Sequence, residues 1–191
     1  MNTSKVFSVL CDCSGSMIGM KGTILESLSH SLPLLNTHYS SAEIVFYNSQ
    51  EKKEVHFTTL DNPDISPLRT FNFDSNSNLF DTITDYLNSI ITQKATGDDT
   101  HYSLLVVGDG SDNASSHYHK VDVKNAITEL KKNGLLEVYY MSTSADFERD
   151  AESLGINPDH TIHFTFTNEG IKHAILNGTQ FFLELKKPKV H

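Results

Sequence analysis

Two periods of apolar and polar positions alternate along this chain. Residues 5–12, KVFSVLCD, are a short apolar run ending on a carboxylate, and they read as a buried strand. Ile24, Leu28, Leu32 and Leu35 follow at steps of four, four and three, which places them on one helix face. Pro33 lies inside that pattern and predicts a kink or an end nearby. Residues 42–48, AEIVFYN, form a second strand. Residues 53–60, KEVHFTTL, alternate Val55 and Phe57 with Glu54 and His56, as a half-buried strand does. The link between them, NSQE, has hairpin length, so the pair is expected to be antiparallel, with the third strand at a sheet edge. Residues 61–70 hold two prolines and read as a loop.

The second half repeats the alternation. Residues 75–93 open with a polar cap and become amphipathic through Leu79, Ile83, Leu87 and Ile90. Residues 102–110, YSLLVVGDG, are the most apolar strand pattern, again closing on a carboxylate, Asp109. A helix over 121–134 carries lysines in its last turn and Gly134 as its stop. A strand over 135–142, a short helix over 145–155 and a strand over 160–167 come next. The closing helix, 168–185, is expected to be interrupted at Asn177 and Gly178, and the basic tail 186–191 to fray. Strands alternating with helices predict an α/β sheet with helices on both faces.

Length and composition narrow the possibilities. The 191 residues suit a single domain over 1–191 with a substantial core. A formal net charge of -9 disfavours nucleic acid or an anionic membrane as partner. The cysteines, Cys11 and Cys13, are too close in sequence for a disulfide framework, and free thiols suit a reducing compartment. The N-terminus lacks a basic segment followed by a long apolar core, and no apolar run has membrane-spanning length, so the expectation is a cytoplasmic protein.

Candidate chemistry sits at the strand ends. Parallel α/β sheets place ligands beyond the carboxyl ends of strands where strand order reverses. Two strands here end on a carboxylate and a polar, glycine-containing loop: Asp12 in CDCSGSM and Asp109 in GDGSDN. On neighbouring strands those ends would lie roughly 5 Å apart. Two carboxylates at that distance repel by roughly 3 kcal/mol at an effective dielectric of about 20. Either one is protonated or a cation lies between them. Ser14 and Ser16, two residues apart, turn hydroxyls to the same side as Asp12. Oxygen donors with few carboxylates describe a hard divalent ion, magnesium before calcium, with manganese also admissible. The competing reading is a strand-to-helix turn whose hydroxyls cap the following helix.

The residues DCSGSM resemble the Asp-x-Ser-x-Ser signature of the von Willebrand factor type A (VWA) domain, the first part of its metal-ion-dependent adhesion site, or MIDAS. SNSNLFD is similar to that family's second part, with Ser77 in the threonine position, then Leu79 and Asp81. VVGDGSDN is similar to the third, with Asp109 in place and Gly108 where the family has threonine. SNS also replaces two glycines before the helix, so the backbone of that loop is open to change. The resemblance implies a doubly wound, mostly parallel six-stranded sheet of order 3-2-1-4-5-6, with strand 3 antiparallel. It implies a metal site of Asp12, Ser14, Ser16, Ser77 and Asp109, holding a divalent cation. It further implies a non-enzymatic interaction module whose protein partner presents an acidic side chain to that cation.

Met17, Ile18, Asn113, His117 and His119 fall in the loops around the motif and are the candidates for partner contact. Two other functions compete with this reading. One is a metal-dependent phosphate enzyme with Asp12 as nucleophile. It wants a second acid two residues on, where Ser14 stands, and a basic residue for the phosphoryl oxygens; Lys21 is the nearest. The other is a degenerate domain that binds partners without metal. The Cys-x-Cys pair reads as core packing, with soft-metal or redox chemistry as its alternative.

Overall fold

The computed structural model describes residues 4–185; the basic tail expected to fray lies outside them. The elements are β1 (Lys5–Asp12), α1 (Lys21–Leu35), β2 (Ser41–Tyr47), β3 (Lys52–Phe57), α2 (Ser66–Arg69), α3 (Leu79–Ala95), β4 (His101–Val107), α4 (Lys120–Lys132), β5 (Leu136–Ser142), α5 (Phe147–Ser153), β6 (Thr161–His163) and α6 (Asn168–Leu185). Among the described residues the six strands form one sheet in the order β3-β2-β1-β4-β5-β6. The β2–β3 hairpin is antiparallel, and every other pairing is parallel.

Alternating side chains give this sheet two cores. Phe7, Val9 and Cys11 of β1 join Leu105 and Val107 of β4 on the face covered by α1 and α6. Val6 and Leu10 join Leu104 and Val106 on the face covered by α3, α4 and α5. The helix stripes read from the sequence fill these layers: Ile24, Leu28, Leu32 and Leu35 on one side, Leu79, Ile83, Leu87 and Ile90 on the other.

Three local expectations are corrected. The closing helix runs unbroken through Asn177 and Gly178. Gly178 lets α6 approach the sheet: a Cβ there would lie 2.7 Å from Leu105 Cδ1 and 3.3 Å from Tyr139 Cδ1. The strand expected over 160–167 pairs only through His163. Beyond it Thr165 and Thr167 turn to start α6, with Thr167 N–H donating to the Thr165 carbonyl (2.7 Å) and Gly170 N–H to Thr167 Oγ1 (3.1 Å). The proline-bearing loop holds one helical turn, Ser66–Arg69. The amphipathic helix expected after the polar cap begins at Leu79, and residues 75–78 belong to the loop described below. As expected of Pro33, α1 ends nearby, two residues later at Leu35.

Gly178→Val forces a branched side chain against Leu105 and should lower stability by about 2 kcal/mol. Gly22→Ala, in α1 with open space around its Cβ position, should raise it by about 0.5–1 kcal/mol. Thermal and urea denaturation of both variants check the contrast.

Candidate metal centre

The site stands at the carboxyl edge of the sheet, where β1 and β4 are neighbours. Cys11 pairs with Val107, so the chains leave the sheet together and Asp12 comes to lie beside Gly108. A Cβ on Gly108 would be 3.1 Å from Asp12 Cβ, so the glycine makes room for the Asp12 side chain. Asp12 is almost fully buried, and Ser14 N–H donates to its Oδ1 at 2.7 Å. The chain then enters a 3₁₀ turn, Gly15–Met20. Ser14 Oγ and Ser16 Oγ share a hydrogen bond at 3.1 Å, and Ser16 Oγ donates to Asp109 Oδ2 at 2.6 Å. Asp109 Oδ1 accepts from Ser111 N–H at 2.8 Å. Oxygens from the first and third motifs therefore form one connected set.

Ser77 brings the second motif to the same place. Its hydroxyl is buried, faces Asp12 closely enough to favour the ionised carboxyl, and falls short of hydrogen-bond geometry to any protein atom. A buried hydroxyl without a partner costs about 1–3 kcal/mol. Burial pushes the Asp12 carboxyl above its ordinary pKa; the hydrogen bond from Ser14 and the nearby Ser77 hydroxyl pull it down, and the negative charge of Asp109 adds to the rise. The site thus disfavours a bare second carboxylate and leaves one oxygen unsatisfied. Among the described residues no three His, Cys, Asp or Glu side chains are arranged to hold a metal ion. A cation at this edge would depend on the serine oxygens together with the two aspartates, a donor set that fits a hard ion.

A second set of residues holds these loops in place. Gly15 N–H donates to the Ser75 carbonyl at 3.0 Å, joining the first loop to the second. Ser75 adopts φ 64°, the left-handed region that glycine prefers. The loop keeps that conformation without a glycine, at a cost of about 1 kcal/mol. Asn48, buried at the end of β2, donates to the Asn72 carbonyl (3.2 Å) and Asp74 Oδ1 (3.1 Å). Asn113 Oδ1 accepts from Ser77 N–H (2.9 Å), while Asn113 N–H donates to the Ser77 carbonyl (3.1 Å). Asp81, in the first turn of α3, accepts the backbone N–H groups of Ser116, His117 and Tyr118 at 2.9, 3.1 and 2.8 Å.

The structure therefore brings Asp12, Ser14, Ser16, Ser77 and Asp109 together and divides the five rim residues. Ile18 stands 65% exposed. Met17 does not reach the surface: the 3₁₀ turn swings it inward, and it is fully buried in the core under α1, so its expected partner contact is corrected. Asn113 is exposed, with its side-chain Oδ1 and backbone N–H committed to Ser77. His117 is exposed, with Nδ1 3.3 Å from Asp81 Oδ2. His119 is exposed and precedes α4, its N–H donating to Asp122 Oδ2 at 2.8 Å. Sequence reasoning missed Asp81, Asn113 and Asn48 as positioning residues. Asp81 was singled out within the second motif and Asn113 as a rim residue, but neither as a residue that holds loops together; Asn48 carried no signal.

Known structures share this arrangement of the chain. The pilus adhesin SpaC of Lactobacillus rhamnosus GG superposes with a TM-score of 0.67 at 12% identity, over 97% of this chain and 30% of SpaC. The vWF domain of the type V pili tip protein Mfa5 from Porphyromonas gingivalis matches over 100% of this chain and 99% of that domain, with a TM-score of 0.59 and 11% identity. This chain has the VWA fold. Proximal thread matrix protein 1 of the mussel byssus, with zinc in its MIDAS motif, gives a TM-score of 0.66 at 12% identity, over 96% of this chain and 48% of that one. The chain thus spans less than half the length of SpaC and of the byssus protein. No protein-family model and no curated protein sequence matches it.

Burial pushes the Asp81 carboxyl up, but hydrogen bonds from Ser116, Tyr118 and His117 outweigh it and hold the group below the ordinary carboxylate range. Its contribution to stability is complete above the unfolded-state value of about 3.9 and is lost as pH falls through the lower folded value. Asp81→Asn sets an amide against three N–H donors and should cost about 2–3 kcal/mol. It should also speed amide hydrogen exchange at residues 116–118 and remove this part of the acid dependence. Exchange mass spectrometry and denaturation between about pH 3 and 7 measure both.

Proposed function

We propose that this protein is a metal-dependent interaction module. It binds a partner protein's acidic side chain through a divalent cation at Asp12, Ser14, Ser16, Ser77 and Asp109. The observation that carries this reading is the Ser77 hydroxyl: buried, unpartnered, and turned toward a carboxyl that is itself linked to Asp109 through two serines. A bound divalent cation supplies an electrophilic acceptor for a partner's carboxylate and neutralises the two aspartates. The all-oxygen donor set favours magnesium, with manganese and calcium as alternatives. The zinc in the byssus protein's MIDAS motif supports a divalent ion at this position of the fold.

The chain's own residues do the positioning. Ser16 holds the Asp109 carboxylate by one oxygen and Ser111 N–H holds it by the other, which fixes its orientation. Asp12 is oriented by the Ser14 N–H. Phosphoryl transfer with Asp12 as nucleophile is disfavoured. The position for a general acid is Ser14, and Lys21 commits its ammonium to the Phe71 carbonyl at 2.7 Å and lies over the Phe73 ring. The cytoplasm remains our reading of the compartment, resting on the two free, buried thiols of Cys11 and Cys13. Among the described residues no helix is long and apolar enough to cross a membrane.

Ser77→Ala separates this reading from a metal-independent domain. It deletes a hydroxyl that has no structural partner, so the metal-free protein should be as stable as wild type or slightly more so. Wild type in magnesium at one hundred times its Kd should gain about 2.7 kcal/mol, and the variant should lose most of that gain. Affinity capture gives the second readout, with partner retained in magnesium, released by EDTA, and absent from Ser77→Ala. Equal magnesium stabilisation of both proteins, or a partner held equally in EDTA, would sink the proposal.

A further inference from the structure

Ser16 and Asp109 belong to two features at once. They are members of the metal centre, and they form one wall of a cleft of about 550 Å³. Thr143, His163, Phe164, Thr165 and Phe166 line the rest of it. Phe164 is buried and forms part of the core, whereas Phe166 is 45% exposed. Phe166 thus leaves part of an aromatic ring in water beside a polar site, and covering that apolar area is favourable.

This wall is held firmly. Gly170 allows the segment before α6 to lie directly on the helix's first turn, since a Cβ there would be 2.2 Å from the Thr165 carbonyl oxygen. Thr23 Oγ1 of α1 donates to Asn168 Oδ1 at 2.9 Å, tying the start of α6 down. His163 Nε2 donates to the Thr143 carbonyl at 3.2 Å, and its ring lies 5.6 Å from that of Phe147. Phe166 is therefore presented on a short, braced segment.

We infer that this cleft receives a large apolar side chain, aromatic or aliphatic, from the same partner segment that offers its carboxylate at the metal centre. The inference rests on the metal-bridged reading above. Charge selects this occupant. The cleft lining contains the Asp109 carboxylate and no lysine or arginine, so a second acidic side chain would lie there unpaired. A basic side chain would compete with the cation for Asp109. Successive Cα atoms are about 3.8 Å apart. Because both features share Ser16 and Asp109, the apolar residue belongs within one or two positions of the acid. The partner motif is thus an acidic residue with a large apolar neighbour.

The test uses synthetic alanine-rich peptides with one central aspartate, each flanking position replaced in turn by Phe, Leu, Ala, Lys or Glu. Binding is measured by fluorescence polarisation in magnesium and in EDTA, with wild type, Phe166→Ser and Phe166→Leu. Phe or Leu at one flanking position should raise affinity roughly tenfold over Ala. That preference should vanish in Phe166→Ser, return in Phe166→Leu, and require magnesium. An unchanged magnesium-induced thermal shift in Phe166→Ser shows that the variant folds and keeps its metal. Magnesium-dependent binding with no flanking preference, or with a preference indifferent to Phe166, overturns this inference and leaves the metal-bridged reading intact. Apolar peptides bound equally in EDTA and without aspartate overturn the coupling of cleft to metal. No magnesium-dependent binding of any peptide removes the carboxylate reading and this inference with it.

Discussion

The parallel pairing of β1 with β4 sets Cys11 opposite Val107, so Asp12 and Asp109 leave the sheet side by side. This juxtaposition constrains everything else at that edge. Two carboxylates so placed repel each other, and Asp12 is buried as well, which pushes its pKa upward. The loops answer with donors: Ser14 N–H to Asp12, Ser16 hydroxyl to Asp109, and a hydrogen bond linking the two serines. Ser77 stands over the same carboxyl with its own hydroxyl unsatisfied. A site so rich in acceptors and hydroxyls is costly to maintain in a core, and the fold maintains it by anchoring three loops to one another rather than by packing alone.

That anchoring explains how legible the site was. Asp12 and Asp109 could be found because each ends an apolar run, and strand ends are where α/β sheets place ligands. Ser14 and Ser16 followed from spacing. Ser77 carried no local signal, since a serine in a polar loop before a helix is ordinarily a cap, and only the resemblance singled it out. The positioning roles of Asp81, Asn113 and Asn48 were invisible for a different reason. Their partners lie 24 to 37 residues away, and hydrogen bonds at that range leave no periodicity to read.

The fold itself was legible almost throughout, because two-sided burial writes its pattern directly into strands and stripes. The misreadings share one cause: a local preference was overridden by a tertiary contact. Gly178 was taken as a breaker, yet it serves close packing of α6 on Leu105 and Tyr139. Residues 164–167 alternate like a strand, yet Thr165 and Thr167 satisfy the first turn of α6 instead. Met17 follows Ser16 in a polar motif and suggested a surface position; the 3₁₀ turn carries it into the core.

The site thereby divides into two parts with opposite physical demands. Its floor must hold like charges and hydroxyls at fixed separations, so it is buried and cross-linked by side-chain-to-backbone hydrogen bonds from distant segments. Its rim leaves Ile18 and Phe166 in water, on short segments braced from beneath, as the proposed partner contact would require. An acidic chain cannot attract a carboxylate by its own charge; formal net charge is -9. Recognition of an acidic side chain at this edge therefore needs a cation for attraction and apolar contact for selectivity. In the proposed reading the cation and the apolar contact would fall on adjoining surfaces, because Ser16 and Asp109 are common to both.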